Sequence, residues 1–172
     1  MPSEFDPLSK YFLDNINDSE ASRYVVLCPT SLDTNMTYSN GGLCRLNAQY
    51  QYLKSVMGHP RIIPPGIDIA HISRVIDVAT GTGSWAIDFA SLPEVLDSNV
   101  QVFACDISSE KYLQGNKPPA KQITFFQQDV TKPFPDELLG TFDLINLALL
   151  SLALTSKGWE IAIQNLHSLL SE

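Results

Sequence analysis

Chemistry in this 172-residue sequence can come from four places, each at the end of an apolar run. The first is Asp77-Val78-Ala79-Thr80-Gly81-Thr82-Gly83, where an acid precedes a glycine turn. Gly81 and Gly83 permit a tight strand-to-helix turn and let backbone amides approach a ligand with no Cβ in the way. The second is Asp106, just past Cys105 and 23 residues beyond Gly83. A carboxylate there can accept hydrogen bonds from both ribose hydroxyls of a nucleoside. The third is Asp129-Val130, placed after another apolar run where an adenine ring would lie. The fourth is Asn146, late in a fourth run and beside the same crevice.

Gly81-Thr82-Gly83-Ser84-Trp85-Ala86 satisfies GxGxx(G/A), the dinucleotide fingerprint, and Asp106 stands at roughly the offset of its ribose acid. Asp77 argues against that ligand, because a pyrophosphate gains nothing from a negative charge ahead of the turn. A cation does. Asp77, Asp106 and Asp129 together suit a nucleoside that carries positive charge rather than phosphates. Plainer roles stand beside these. Asp77 can hold the turn by accepting backbone amides, Asp129 can cap an Asp-Val-Thr turn, and Asn146 can serve a buried hydrogen bond. Trp85 reads as packing. His59, His71 and His167 are scattered and read as loop, helix start or surface rather than as a base.

The elements that must position these residues follow from periodicity. Val75–Ala79, Val100–Cys105, Ile123–Gln127 and Phe142–Leu147 are short apolar runs of the buried-strand type. Ser84–Ser91 predicts a helix with Ala86, Phe89 and Ala90 turned inward, and Lys157–Leu170 another with Trp159, Ile163, Leu166 and Leu170 on one face. Leu46, Tyr50, Leu53 and Met57 predict a helix ended by Gly58 and Pro60. Strands this apolar, joined by crossovers too long for hairpins, indicate a parallel sheet covered on both faces, an α/β doubly wound fold. Residues 1–40 read as an irregular extension with a short helical stripe at Phe5, Leu8, Tyr11 and Phe12, and residues 41–172 as the domain.

A net charge of -8 and a pI near 4.7 argue against a nucleic-acid partner, since phosphate binding needs clustered Lys and Arg. The longest nearly apolar run, Leu144–Leu154, is too short to span a bilayer, and no signal peptide is evident. Cys28, Cys44 and Cys105 lie far apart with no CxxC pair, so neither a metal site nor a disulfide framework is expected and the cytoplasm is the default compartment.

Val75-Ile76-Asp77-Val78-Ala79-Thr80-Gly81-Thr82-Gly83-Ser84-Trp85-Ala86 resembles the first motif of class I S-adenosylmethionine (SAM) dependent methyltransferases, most nearly the fungal branch acting on secondary metabolites. Asp106-Ile107-Ser108 resembles that family's ribose-binding acid, and Asp129-Val130 its adenine-flanking acid. Phe134-Pro135-Asp136 and Phe142-Asp143-Leu144-Ile145 are similar to the approach to its fourth strand. Arg45-Leu46-Asn47-Ala48-Gln49 resembles the helix that covers the cofactor's amino-acid end, with Arg45 on the carboxylate. The resemblance covers residues 38 to 172. It implies a Rossmann-like fold, SAM as cofactor, and contacts from Asp77, Ala79, Thr80, Gly81, Thr82, Gly83, Asp106, Ile107, Asp129, Val130, Asn146 and Arg45.

Two departures shape the expectations. The family usually has glycine where this chain has Ala79, so the turn should be slightly less open. The family also continues into three more strands where this chain stops at Glu172. The fourth strand should then show an apolar edge that a partner chain, a rearranged segment or a separate C-terminal piece must cover. A homo- or hetero-oligomer through that strand or the last helix is the resulting expectation. The expected function is methyl transfer from SAM to a small natural product, with no catalytic base assignable. The alternatives are a subunit that binds a partner without methylating alone, or a methyltransferase-fold cyclase.

Overall fold

A computed structural model of the chain describes residues 24–28, 41–56, 62–64, 66–113, 121–148, 150 and 153–171. In chain order the elements are β1 (Tyr24–Cys28), α1 (Gly41–Val56), β2 (Arg74–Val78), α2 (Ser84–Ala90), α3 (Pro93–Leu96), β3 (Gln101–Asp106), β4 (Ile123–Gln127), β5 (Leu144–Ala148) and α4 (Ser156–Leu169). The strands form one sheet in the order β1-β5-β2-β3-β4, and every neighbouring pair is parallel. The expected runs match β2 to β5 to within about two residues at each end. The stripe at Phe5 to Phe12 and the helix stop at Met57, Gly58 and Pro60 lie outside the described residues.

Period-two alternation divides the core between the two faces of this sheet. Val75, Val102, Ala104 and Leu144 face one side, where they meet Trp85, Ala86 and Phe89 of α2 and Val95 of α3. Ile76, Val78, Cys105, Ile145 and Leu147 face the other, where they meet Ala162, Leu166 and Leu169 of α4. Helices thus cover both faces, as a doubly wound sheet requires. With seven residues, α2 is too short to persist alone, so its packing must hold it. Phe89 is fully buried and stacks on Trp85 at 5.1 Å. The Trp85 indole N–H donates to the Ile62 carbonyl at 3.2 Å, which confirms a packing role for that ring.

The expected four-strand sheet with a bare edge is corrected by β1. This segment, left irregular in the sequence reading, pairs in parallel with β5 in the register Val25↔Ile145 and Val26↔Asn146. Tyr24-Val25-Val26-Leu27-Cys28 is apolar and rich in strand-favouring residues, so it can supply the row of amides and carbonyls that β5 needs. An association through β5 therefore has no free edge to use while β1 is in place.

Candidate functional site at the carboxyl ends of β2, β3 and β5

Strand order switches sides at β2: β3 and β4 lie to one side of it, β5 and β1 to the other, all running the same way. In open parallel sheets ligands bind beyond the carboxyl ends at such a switch point. The glycine turn leaves β2 there. Gly81 has φ +58 and Gly83 φ +82, a region that side chains disfavour. A Cβ on Gly81 would stand 3.3 Å from Leu46 Cδ1 of α1, and one on Gly83 would stand 3.1 Å from the Phe125 ring of β4. Glycine lets the turn seat between these two side chains. Ala79 also has positive φ, at +57, which costs a non-glycine residue about 1 kcal/mol and explains why glycine is the usual choice there.

Asp77 and Asn146 lie opposite each other in the β2–β5 register, and both are 2% exposed. Asn146 Nδ2 donates to Asp77 Oδ1 at 2.6 Å, and Thr80 Oγ1 donates to Asp77 Oδ2 at 2.5 Å. The carboxylate is thus an internal brace tying the turn to β5, and Asn146 serves the brace. Burial pushes the Asp77 carboxyl up to about 6, from 3.8; bonds from Thr80, Asn146 and the Ala86 amide oppose the rise, and the Asp106 charge adds to it. The folded chain therefore holds this proton more tightly than the unfolded chain does. Stability from this group is greatest below pH 4 and falls as pH rises through about 6, by about 3 kcal/mol in total. Asp77→Asn has no proton to lose, so its unfolding free energy should lack that slope. Denaturant titrations at four pH values check this, and parallel profiles for the two proteins would exclude Asp77 as the group.

Asp106 closes β3. Its Oδ2 accepts the Gly81 N–H at 2.9 Å and its Oδ1 the Ser108 N–H at 3.2 Å. A carboxylate has about four lone-pair positions, so two remain for further donors. Ile107 beside it is 64% exposed, an apolar surface at the mouth of the crevice. Asp129, past β4, turns one oxygen onto the Thr131 hydroxyl at 2.7 Å and the Thr131 N–H at 2.9 Å. The hydroxyl, then the amide, hold its carboxyl below the usual range. The turn-capping role is present, and the other oxygen carries no protein bond among the described residues. Val130 packs its side chain into the α4-side core, and its carbonyl accepts from Asn165 at 2.9 Å.

Sequence reading missed three contributors. Thr82 Oγ1 donates to Asn47 Oδ1 at 2.5 Å, and Ser84 Oγ donates to the same oxygen at 3.0 Å. Tyr112 Oη accepts the Asp106 N–H at 2.9 Å and donates to the Phe126 carbonyl at 2.6 Å, which stitches β3 to β4 behind the acid. Asn47 and Ser84 stood inside the stretches quoted for their family resemblance but were not singled out, and nothing in the sequence pointed to Tyr112. Arg45 lies in α1, and its side chain is outside the described residues. His71 pairs with Asp68 at 3.0 Å at the amino ends of the strands, and His167 is exposed on α4, so neither reaches the crevice as a base. Cys105 is buried, which pushes its thiol up and leaves it a core residue.

A second opening, a cleft of about 530 Å³ lined by Ile67, Asp68, Ile72, Glu94, Ser98 and Val100, lies at the amino ends of β2 and β3. No glycine turn and no strand-end acid face it. Among the described residues no helix is long and apolar enough to cross a membrane.

Over 102 residues, 59% of this chain and 35% of the relative, the sequence is 28% identical to the N-methyltransferase tcpN of Claviceps purpurea (strain 20.1). Over 133 residues, 73% of this chain and 44% of the relative, it is 31% identical to the methyltransferase grgD of Penicillium sp. The chain therefore spans less than half the length of either. Among solved structures, the CMeT domain of the citrinin polyketide synthase gives a TM-score of 0.46 at 18% identity, covering 74% of this chain and 32% of that one. The methyltransferase-domain family matches residues 75–172, more than half of the sequence and the sheet from Val75 of β2 onward, and the chain belongs to it.

Proposed function

We propose that the crevice beyond β2, β3 and β4 binds SAM and serves methyl transfer to an oxygen, nitrogen or carbon nucleophile of a small natural product. One observation carries the reading. Asp106 is tied to the glycine turn by the Gly81 amide yet keeps lone pairs for two hydroxyl donors. The residues fit such a cofactor: an acid for the ribose, exposed Ile107 and Asp129 for the base, and the buried charge of Asp77 for a cationic centre nearby.

When bound, SAM supplies a methyl group on a cationic sulfur that a nucleophile can displace directly. This chain's residues have to hold and orient. Gly81 and Gly83 let the turn lie close against Leu46 and Phe125, and Tyr112 fixes the backbone of Asp106. Alignment of this kind can provide most of the acceleration, so a general base is needed only for some acceptors.

The competing dinucleotide ligand gives the test. Calorimetry with SAM, its demethylated product and NAD should show binding of the first two and little of NAD, whose pyrophosphate would face the Asp77 charge. Tighter binding of NAD than of either would overturn the assignment.

A further inference from the structure

The loop that follows β4 is pinned through its carbonyls. Gln128 Nε2 donates to the carbonyls of Asp129 at 2.9 Å, Lys132 at 3.2 Å and Pro133 at 3.1 Å. Asn165 of α4 donates from Nδ2 to the carbonyls of Val130 at 2.9 Å and Lys132 at 3.0 Å. Each amide has two N–H donors, and both amides spend them on this one short segment. The bonds to Lys132 and Pro133 are exposed, so water could satisfy those carbonyls at little cost. Water cannot fix the path of a backbone. The amides can.

Further contacts show what the loop is held against. The Gln128 backbone N–H donates to the Asp106 carbonyl at 2.9 Å, so the residue that pins the loop is itself tied to the acid at the end of β3. Asn165 stands on a firm base, because Ala162, Leu166 and Leu169 of the same helix are buried against the sheet. Inside the loop, the Lys132 N–H donates to the Asp129 carbonyl at 2.9 Å and closes a tight turn. Thr131 occupies Asp129 Oδ1 with its hydroxyl and its N–H, which leaves Oδ2 as the acceptor without a protein bond among the described residues. The span between the Asp106 and Asp129 carboxylates is therefore set by two side-chain amides, one from each side of the loop.

We propose that Gln128 and Asn165 are positioning residues for base selection: they hold the 129–133 loop at a fixed span from Asp106, so that Asp129 Oδ2 meets the exocyclic amino group of an adenine whose ribose is on Asp106. This rests on the reading that the crevice binds SAM. A carboxylate accepting from that amino group makes a charge-assisted bond, which is short and sensitive to placement, so a loop free to wander would lose the selection before it lost the fold. The probes are S-adenosylhomocysteine and its purine riboside analogue, in which hydrogen replaces the adenine amino group and all else is kept.

By calorimetry, the wild-type chain should prefer S-adenosylhomocysteine roughly tenfold to a hundredfold. Asn165→Ala and Gln128→Ala should each cut that preference to about threefold or less and leave the affinity for the analogue within about twofold. Asn165→Leu, which keeps the volume without the donors, should behave like Asn165→Ala, and circular dichroism should show all three variants folded. Equal losses for both probes, with the preference intact, would mean that the amides only stabilise the loop and would overturn the proposal. So would unchanged affinities. A wild-type chain that binds both probes equally would overturn the proposal and leave the cofactor reading standing, whereas one that binds neither would overturn that reading and the proposal with it.

Discussion

Asp106→Ala should weaken binding of SAM and its demethylated product by about 2–4 kcal/mol, roughly 30-fold to 1,000-fold, because charge-assisted hydrogen bonds to both ribose hydroxyls are lost. A second, smaller effect goes with it. The Gly81 and Ser108 amides lose their acceptor, and the partly buried Gly81 N–H is left unpaired, at a cost of about 1 kcal/mol in stability. The two effects separate experimentally. Asp106→Asn keeps one oxygen for an amide but offers an NH₂ where the other accepted, so it should recover much of the stability and little of the affinity. Calorimetry, at a temperature where circular dichroism shows each variant folded, measures the first effect; denaturant unfolding measures the second. An unchanged dissociation constant in folded Asp106→Ala would remove the ribose assignment, whatever the family.

That experiment rests on a residue legible in the sequence, and others at the site were not. β2 to β5 declare themselves because strands buried on both faces read as unbroken apolar runs, and the turn declares itself because Gly81 and Gly83 take positive φ that few other residues tolerate. Asp106 follows from its position at the end of such a run. Asp77 was legible as an acid, but its role depends on Asn146, which the register sets opposite it from 69 positions away. No local pattern reports that distance. Without the partner, a buried brace and an exposed ligand carboxylate look alike. Asn47 was hidden for the same reason: α1 announces its periodic face, while the contact to Thr82 depends on how that helix docks. β1 was hidden by its neighbours, five apolar residues among many Pro, Asp, Asn and Ser, with a strand partner far along the chain.

β1 carries the second large effect. Val25→Pro/Val26→Pro should release the edge of β5 and convert the chain to an associating species at micromolar concentration. The double substitution is needed because adjacent residues in a strand send their N–H groups to opposite sides. One of the two prolines must then remove a donor aimed at β5, and both rings disfavour the ladder. β5 reads Leu-Ile-Asn-Leu-Ala with its first four residues buried, so its freed edge would offer unpaired amides and carbonyls beside apolar side chains. Such an edge templates pairing with another chain. Here the oligomer expected from the sequence, through this strand or the last helix, acquires a condition on the strand side: β5 offers an edge only once β1 is displaced. Sedimentation of wild type and variant over a tenfold concentration range checks this. The wild type should stay at one mass, and the variant should grow with concentration. Adding Leu147→Lys, which sets a charge on that strand, should either reverse the growth or unfold the chain. A variant that stays monomeric with undiminished stability would show that β1 contributes nothing to covering β5.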